Sequence, residues 1–249
     1  MTPIIWFDTI DSTNLEARRR MSGIDRMTVY AAKFQTAGRG QRGNRWLSAA
    51  GDNLTFSVGM NFGNGDMPQI KAADQFLISI VTALSVSGYL NSLGIDSKIK
   101  WPNDIYVRDR KICGILIENS LQQGILNSSI AGIGLNLNQT EFAPELMNPT
   151  SVAAITGKRI PPESALKDFL AIFLKYFSLL TADGGKNMIV NAFVSRMYRL
   201  GRKELYRDCL SDMEFHGTIK GISEEGLLLV EMPDNSVKKF GFKEISYII

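Results

Sequence analysis

Gly38-Arg39-Gly40-Gln41-Arg42-Gly43-Asn44-Arg45-Trp46 is the stretch on which the fold reading turns. Its glycines open the backbone, so N–H groups can approach an anion that the arginines neutralise. The pattern G-x-G-x-x-G is met letter for letter, yet that match is common to dinucleotide-binding turns and kinase loops. The flanks decide between them. Residues 28–34 and 54–60 are rich in β-branched and aromatic side chains and read as strands. A dinucleotide-binding turn must run from a strand into a helix, with an acidic residue about 20 positions on. Here the glycines join two strands and carry cations. The loop is either an anion-binding loop of another architecture or a long exposed hairpin connection.

The rest of the chain bounds the class. Its 249 residues suffice for one large core with a small appendix. With 45% hydrophobic and 21% charged residues the composition is that of a soluble globular protein. The net charge of +3 is too small to argue for nucleic acid as a partner. Cys113, Cys209 and the single His216 form no zinc-site spacing and no disulfide framework, which suggests a reducing, cytoplasmic setting. No secretory leader pattern and no run of about 18 apolar residues is read, so no membrane is expected.

In order, residues 4–7 read as a strand, and Thr13-x-x-Glu16 as a capping box opening a helix that runs into Arg18-Arg19-Arg20 and stops near Gly23. The arginine triplet is either a solvated helix end or an anion site. A long core helix is expected over 68–93, ended by Gly94. Short strands follow at 97–101, 105–107, 112–118 and 125–133. Their tight turns imply a partly antiparallel sheet, and the apolar run 112–117 suggests a strand covered on both faces. Thr150 or Ser151 caps a short helix ending at Gly157. Pro161-Pro162-Glu163 starts a helix with the core stripe Leu166, Phe169, Leu170, Phe173, Leu174 and Phe177, and a third helix covers 187–200. Strands at 203–208, 214–222, 227–231, 237–242 and 245–248 then suggest a small barrel. The expected class is therefore α+β, a mixed and largely antiparallel sheet with helices followed by a small β-barrel, with domains at 1–200 and 201–249.

Four segments break the apolar strands with glycine, charge and amides: Asp11-Ser12-Thr13-Asn14, the stretch from Gln35 to Trp46, Lys100-Trp101-Pro102-Asn103-Asp104 with Arg110-Lys111, and Gly132-Ile133-Gly134-Leu135-Asn136. Walker A loops and nucleophile elbows are absent, and one histidine in the barrel region makes a Ser/His/Asp triad implausible. In order and content these segments resemble the biotin protein ligase (holocarboxylase synthetase) family, through its motifs G-R-G-x-x-G-x-x-W, K-W-P-N-D, K-x-x-G-I-L-x-E and G-x-G-x-N. The resemblance covers nearly the whole chain and implies that family's catalytic fold with a C-terminal SH3-like barrel.

It also implies an activity: an amide-forming ligase that joins biotin and ATP into biotinyl-5′-AMP, then passes the biotinyl group to a lysine of a biotin carboxyl carrier protein. Such a reaction needs fixed cations and backbone donors more than a protein nucleophile. By resemblance, Arg39 closes over the activated carboxyl and Lys111 contacts carboxylate and α-phosphate, although by position alone Lys111 is a solvated lysine beside a turn. Ser12, Thr13, Asn14 and Gln35 are expected around the ureido ring, with Gly40, Gln41 and Gly114 completing the biotin site. For Ser12 and Thr13 the alternative is helix capping. Arg42, Trp46, Asn103, Gly132, Gly134 and Asn136 are expected on the adenylate side. Mg²⁺ is expected to ride mainly on the ATP phosphates, with no certain protein ligand. Asp104 either orients the incoming lysine or caps a turn, and 139–150 is a candidate lid. Gln41 departs from the pattern, because many relatives have a second loop arginine there. The chain starts at the catalytic segment with no helix-turn-helix before it, which suggests a monofunctional ligase, monomeric or homodimeric, without a DNA partner. The rivals are a lipoate ligase on the same fold, a non-catalytic binding module and a nucleic-acid-binding barrel.

Overall fold

The computed structural model describes residues 2–64 and 67–248, with the backbone but not the side chain of Arg42. Seven strands form the main sheet: β1 (Ile4–Ile10), β2 (Met27–Gln35), β3 (Leu54–Asn61), β4 (Lys98–Lys100), β5 (Asp104–Val107), β6 (Arg110–Gln122) and β7 (Ile125–Leu135), in the order β1-β2-β3-β7-β6-β5-β4. Only β1 and β2 run parallel; the other neighbours are antiparallel, as the short turns from β4 to β7 require for those four strands. A five-stranded antiparallel sheet follows, made of β8 (Lys203–Asp208), β9 (Met213–Ile222), β10 (Leu228–Glu231), β11 (Val237–Phe240) and β12 (Ile245–Tyr247), in the order β11-β10-β9-β8-β12. The helices are α1 (Thr13–Arg19), α2 (Phe76–Ser92), α3 (Val152–Thr156), α4 (Pro162–Ser178) and α5 (Gly185–Ser195). The class is the α+β arrangement expected from the sequence.

Strand register assigns each residue to a face. One row aligns Ile115, Ile133, Phe56 and Ala31, and these join α2 and α4 in the main core. Phe56 and Phe169 meet edge to face there at 5.0 Å. Neighbouring rows align Gly114, Gly134 and Thr55, and Leu116, Gly132 and Ser57, on the opposite face. There α1 covers one end with a small cluster of Ala17, Ile24, Tyr30 and Ile130. The run 112–117 is thus not covered on both faces, since Gly114 and Leu116 line a cavity.

Other expectations also shift. The helix expected over 68–93 begins at Phe76, because Ile70 and Ala72 are engaged with the start of β7: Leu126 N–H donates to Ile70 O and Ala72 N–H to Gly124 O. A helical segment, Ala72–Ser92, does have the length and hydropathy of a membrane span, contrary to the sequence reading; 72% of its apolar window is buried inside the protein, as befits a core helix. The helix expected over 187–200 ends at Ser195, where the chain turns to pair with β4 through Tyr198 N–H to Ile99 O. Leu174 stays exposed, whereas Leu166, Phe169, Leu170 and Phe173 are buried. Ser151 caps α3 by accepting from Ala154 N–H, and Gly157 closes it with a φ of 71°.

The two sheets share one core. Trp101 is buried, its indole N–H donates to Gly226 O, and its ring lies 5.3 Å from that of Phe242. The tryptophan of the Lys100–Asp104 segment is therefore a structural tie between the sheets.

Candidate active site

The glycine-bearing face of the main sheet opens into a cavity of about 720 Å³. Ser12, Thr13, Asn14, Gln35, Arg39, Gly40, Gln41, Trp46, Asn103, Asp104, Lys111, Gly114, Gly132, Gly134 and Asn136 all line it. Segments more than 100 residues apart in sequence converge there because β6 and β7 lie at the centre of the sheet and carry the floor. Of the expected residues only Arg42 is unplaced, its side chain lying outside those described.

At the α1 end the polar groups form one network. The capping box is not formed. Ser12 is the N-cap and makes no side-chain cap bond, while Thr13 is the first helical residue. Instead Gln35 Oε1 accepts from Thr13 N–H at 2.8 Å and lies 3.2 Å from Thr13 Oγ1. Ser57 Oγ lies 2.7 Å from Thr13 Oγ1 and 2.6 Å from Asn14 Oδ1. Since Asn14 Oδ1 can only accept, the Ser57 proton points to it and the Thr13 hydroxyl donates elsewhere in the network. Asn14 then donates through Nδ2 to Glu118 Oε2 at 2.8 Å. These buried polar groups are tightly fixed.

Glu118 is the hub between this network and the opening loop. Its carboxylate takes Arg18 at 2.6 Å and Arg39 at 3.1 Å. The arginine triplet resolves into ion pairs, Arg18 with Glu118, Arg19 with Asp11 and Glu16, and Arg20 with Glu16. The loop itself is a real turn. Arg39 and Arg45 bridge, Gly40 N–H donates to Asn44 O, and Trp46 N–H donates to Gly38 O. A Cβ on Gly38 would sit 2.5 Å from Trp46 O, so no larger residue closes this turn unmoved.

The floor explains its glycines by close approach. A Cβ on Gly132 would lie 2.0 Å from Asn14 Oδ1, and one on Gly134 2.3 Å from Trp46 Cε2. Asn14 and the Trp46 indole thus lie directly on bare backbone. Trp46 Nε1 is buried with no hydrogen-bond partner among the described residues, an unsatisfied donor within the site. Beside it, Lys111 Nζ is 3.4 Å from the Cβ position of Gly114 and makes a 2.7 Å ion pair with Asp104. Lys111 is pinned from its backbone: its N–H donates to Asn148 O, and its carbonyl accepts from Thr150 N–H. This brings part of the 139–150 segment to the cavity mouth, which Glu145, Leu146 and Met147 line. Asn103 donates through Nδ2 to Ile115 O at 2.5 Å, and Asn136 through Nδ2 to Thr150 O at 3.0 Å. Both amides brace turns while their oxygens remain free of side-chain bonds among the described residues.

Several lining or bracing residues escape a sequence reading. Ser57 could have been noticed as the lone hydroxyl between Phe56 and Val58, and Glu118 as the end of its motif. Lys100 opens the Lys100–Asp104 segment without a role of its own there, and Tyr247 could not be found at all, because β12 reaches the cavity only through the packing of the two sheets. Burial pulls the Lys100 ammonium down to about 8; Asp104 opposes the fall, while Lys111 and Arg199 add to it. His216 is exposed on β9, away from the cavity lining.

Comparison with known proteins gives this geometry a context. Residues 6–136, from β1 to the last glycine-rich motif, match the model of the biotin/lipoate A/B protein ligase family. The chain is 32% identical over 230 residues to the biotin–[acetyl-CoA-carboxylase] ligase of Paracoccus denitrificans, covering 90% of this chain and 92% of that one. It is 30% identical over 240 residues to the bifunctional ligase/repressor BirA of Bacillus subtilis, covering 95% of this chain and 71% of the relative. The structure superposes on the biotin protein ligase of Aquifex aeolicus, solved in complex with biotin and ATP, with a TM-score of 0.78 at 28% identity, covering 99% and 98% of the two chains. With more than half of its length matched and the motif residues gathered around one cavity, the chain belongs to the biotin/lipoate A/B protein ligase family.

Proposed function

We propose that this protein is a biotin–protein ligase: it condenses biotin with ATP to biotinyl-5′-AMP and pyrophosphate, then transfers the biotinyl group to a lysine of a biotin carboxyl carrier protein or domain. One observation carries the reading. Two cations, Arg39 and Lys111, each held by a carboxylate, border a glycine floor on which a planar group can lie against backbone. In the first step a carboxylate oxygen attacks the α-phosphorus, and the bond to the α,β-bridging oxygen breaks. Two anions must therefore be held together, a task for fixed cations and dipoles. Arg39 exchanges Glu118 for the incoming anion, and its planar fork holds it bidentately. Lys111, a compact charge, follows the oxygen as charge moves from carboxylate to phosphate.

The network of Thr13, Asn14, Gln35 and Ser57 presents short donors and acceptors suited to the neutral ureido ring, and Ser12 adds a hydroxyl free of capping. Gly40, Gln41 and Gly114 close that side. Trp46, Gly132, Gly134 and Asn136 take the adenylate, and the orphaned Trp46 Nε1 gains an acceptor when the ligand settles. Arg42 is assigned to the phosphates by its place in the loop. Among the described residues no cluster of three His, Cys, Asp or Glu could hold a metal ion. Mg²⁺ would be carried mainly by the ATP phosphates, and Asn103 Oδ1 would be available to it as an oxygen donor at the rim. In the second step Asp104, drawn from Lys111, orients the acceptor amine and takes its proton. Residues 1–200 form the catalytic domain and 201–249 a smaller one, and the enzyme works in the cytoplasm.

Biotin-dependent exchange of labelled pyrophosphate into ATP, run beside lipoate, tests the assignment. Exchange with biotin is expected. Exchange with lipoate alone, or with neither acid, overturns it.

A further inference from the structure

We infer that Lys100, with Tyr106 and Tyr247, forms the subsite for the β- and γ-phosphates and for the pyrophosphate that leaves. The inference rests on the activation step proposed above and extends it to residues outside the catalytic pair.

Register supplies the first ground. Lys100 opposes Asp104, Asp104 opposes Gly114, and Gly114 opposes Gly134. All four lie in one row on the cavity face. Along this row the order is the Trp46 indole over Gly134, the Lys111 ammonium over Gly114, Asp104, and then Lys100. A nucleotide with its adenylate end at Trp46 and its α-phosphate at Lys111 points its remaining phosphates toward Lys100.

Charge supplies the second. Arg39 and Lys111 have carboxylate partners, but among the described residues Lys100 has none within ion-pair distance. Its Nζ donates to Tyr106 Oη at 3.1 Å and lies 4.7 and 5.0 Å from the ring centroids of Tyr106 and Tyr247. A cation half buried under aromatic rings, with Asp104 acting on it only beyond contact distance, is unfavourable, as its lowered pKa of about 8 reflects. A polyanion supplies what is missing. The third ground is Tyr247, whose hydroxyl is buried and has no hydrogen-bond partner among the described residues although the residue lines the cavity. A donor unused among the described residues thus stands beside a cation that no carboxylate touches.

In the step itself the carboxylate oxygen bonds to the α-phosphorus, and the electron pair of the broken bond leaves on pyrophosphate. No proton or electron is drawn from the protein. Lys100 neutralises the charge that departs.

The test is the reverse reaction: ATP formation from preformed biotinyl-adenylate as a function of pyrophosphate concentration. Lys100→Met is expected to raise the half-saturating pyrophosphate concentration by roughly 10- to 100-fold, the value of a lost charge-assisted contact. Lys100→Arg, which keeps the charge, is expected to stay within about 5-fold of wild type. Tyr106→Phe removes only the oxygen that anchors Nζ, and a rise of about 3-fold is expected even if the Met variant fails to fold. A half-saturation within about 2-fold of wild type in both Lys100→Met and Tyr106→Phe overturns the subsite. So does an equal loss in Lys100→Met of transfer from preformed adenylate to the acceptor, because pyrophosphate takes no part in that step. A wild-type enzyme that makes no ATP from biotinyl-adenylate and pyrophosphate refutes the activation reading itself, a different result from a normal wild type with insensitive variants.

Discussion

The two faces of the seven-stranded sheet are built from the same strands and solve opposite problems. On the helix face Ile115, Ile133, Phe56 and Ala31 present apolar side chains that α2 and α4 bury. One residue along each strand, the other face carries Gly114, Gly134 and Thr55, or Leu116, Gly132 and Ser57. The first face is filled to exclude water. The second is stripped to backbone, so that groups approach N–H and C=O directly and polar side chains hold one another. A strand's period of two allows both programmes in one segment. Stability is expected to reside on one face and activity on the other.

The sharpest break of that division is expected from Phe56→Ala, which removes a ring packed on Phe169. It should lower unfolding free energy by about 3–5 kcal/mol, read by denaturant titration, while the folded fraction keeps its affinity for biotin. Lys111→Ala tests the other face: adenylate formation should fall roughly 10²- to 10³-fold with little change in the unfolding midpoint. A large stability loss there would erase the contrast. Gly132→Ala is subtler. The new methyl meets Asn14 Oδ1, so Asn14 must leave Ser57 and Glu118, and biotin affinity by calorimetry should drop roughly 10-fold or more. Gln41→Arg adds a cation to the cavity wall and should slow release of biotinyl-adenylate about 5- to 10-fold; an unchanged off-rate would remove Gln41 from the explanation.

A dependence on pH is expected at Lys100. Its ammonium is pulled down from 10.5 to about 8, so between those values the unfolded chain binds more protons than the folded one. Stability should therefore rise with pH across that window, the burial penalty being fully present below it. Chemical denaturation at several pH values should show this rise in wild type and its loss in Lys100→Met. A slope that persists in the variant belongs to another group.

Much of this is legible in the sequence. The opening loop between strands excluded a dinucleotide-binding turn, and the run of short strands implied antiparallel pairing and a C-terminal β unit. Where expectation and structure part, long-range pairing is the cause. Ile70 and Ala72 are drawn from α2 to the start of β7, and Tyr198 is drawn from α5 to β4, because a backbone hydrogen bond to a strand edge outweighs local helical preference. Thr13-x-x-Glu16 fails as a capping box because the Thr13 hydroxyl faces Gln35 and Ser57 while Glu16 pairs with Arg19 and Arg20.

The opening loop shows where the boundary lies. Sequence alone determined that its glycines permit a tight turn and that its arginines bring charge, since backbone freedom and side-chain charge are properties of the residues. It also determined the strand alternation that leaves glycine on one face. Tertiary structure decided which carboxylate holds each cation, Glu118 for Arg39 and Asp104 for Lys111, and that Trp46 lies on Gly134. It alone brought Tyr247 from the last strand over Lys100. Those relations depend on which segments the packed core carries into contact, and a linear pattern does not encode which side chains, near or far along the chain, meet.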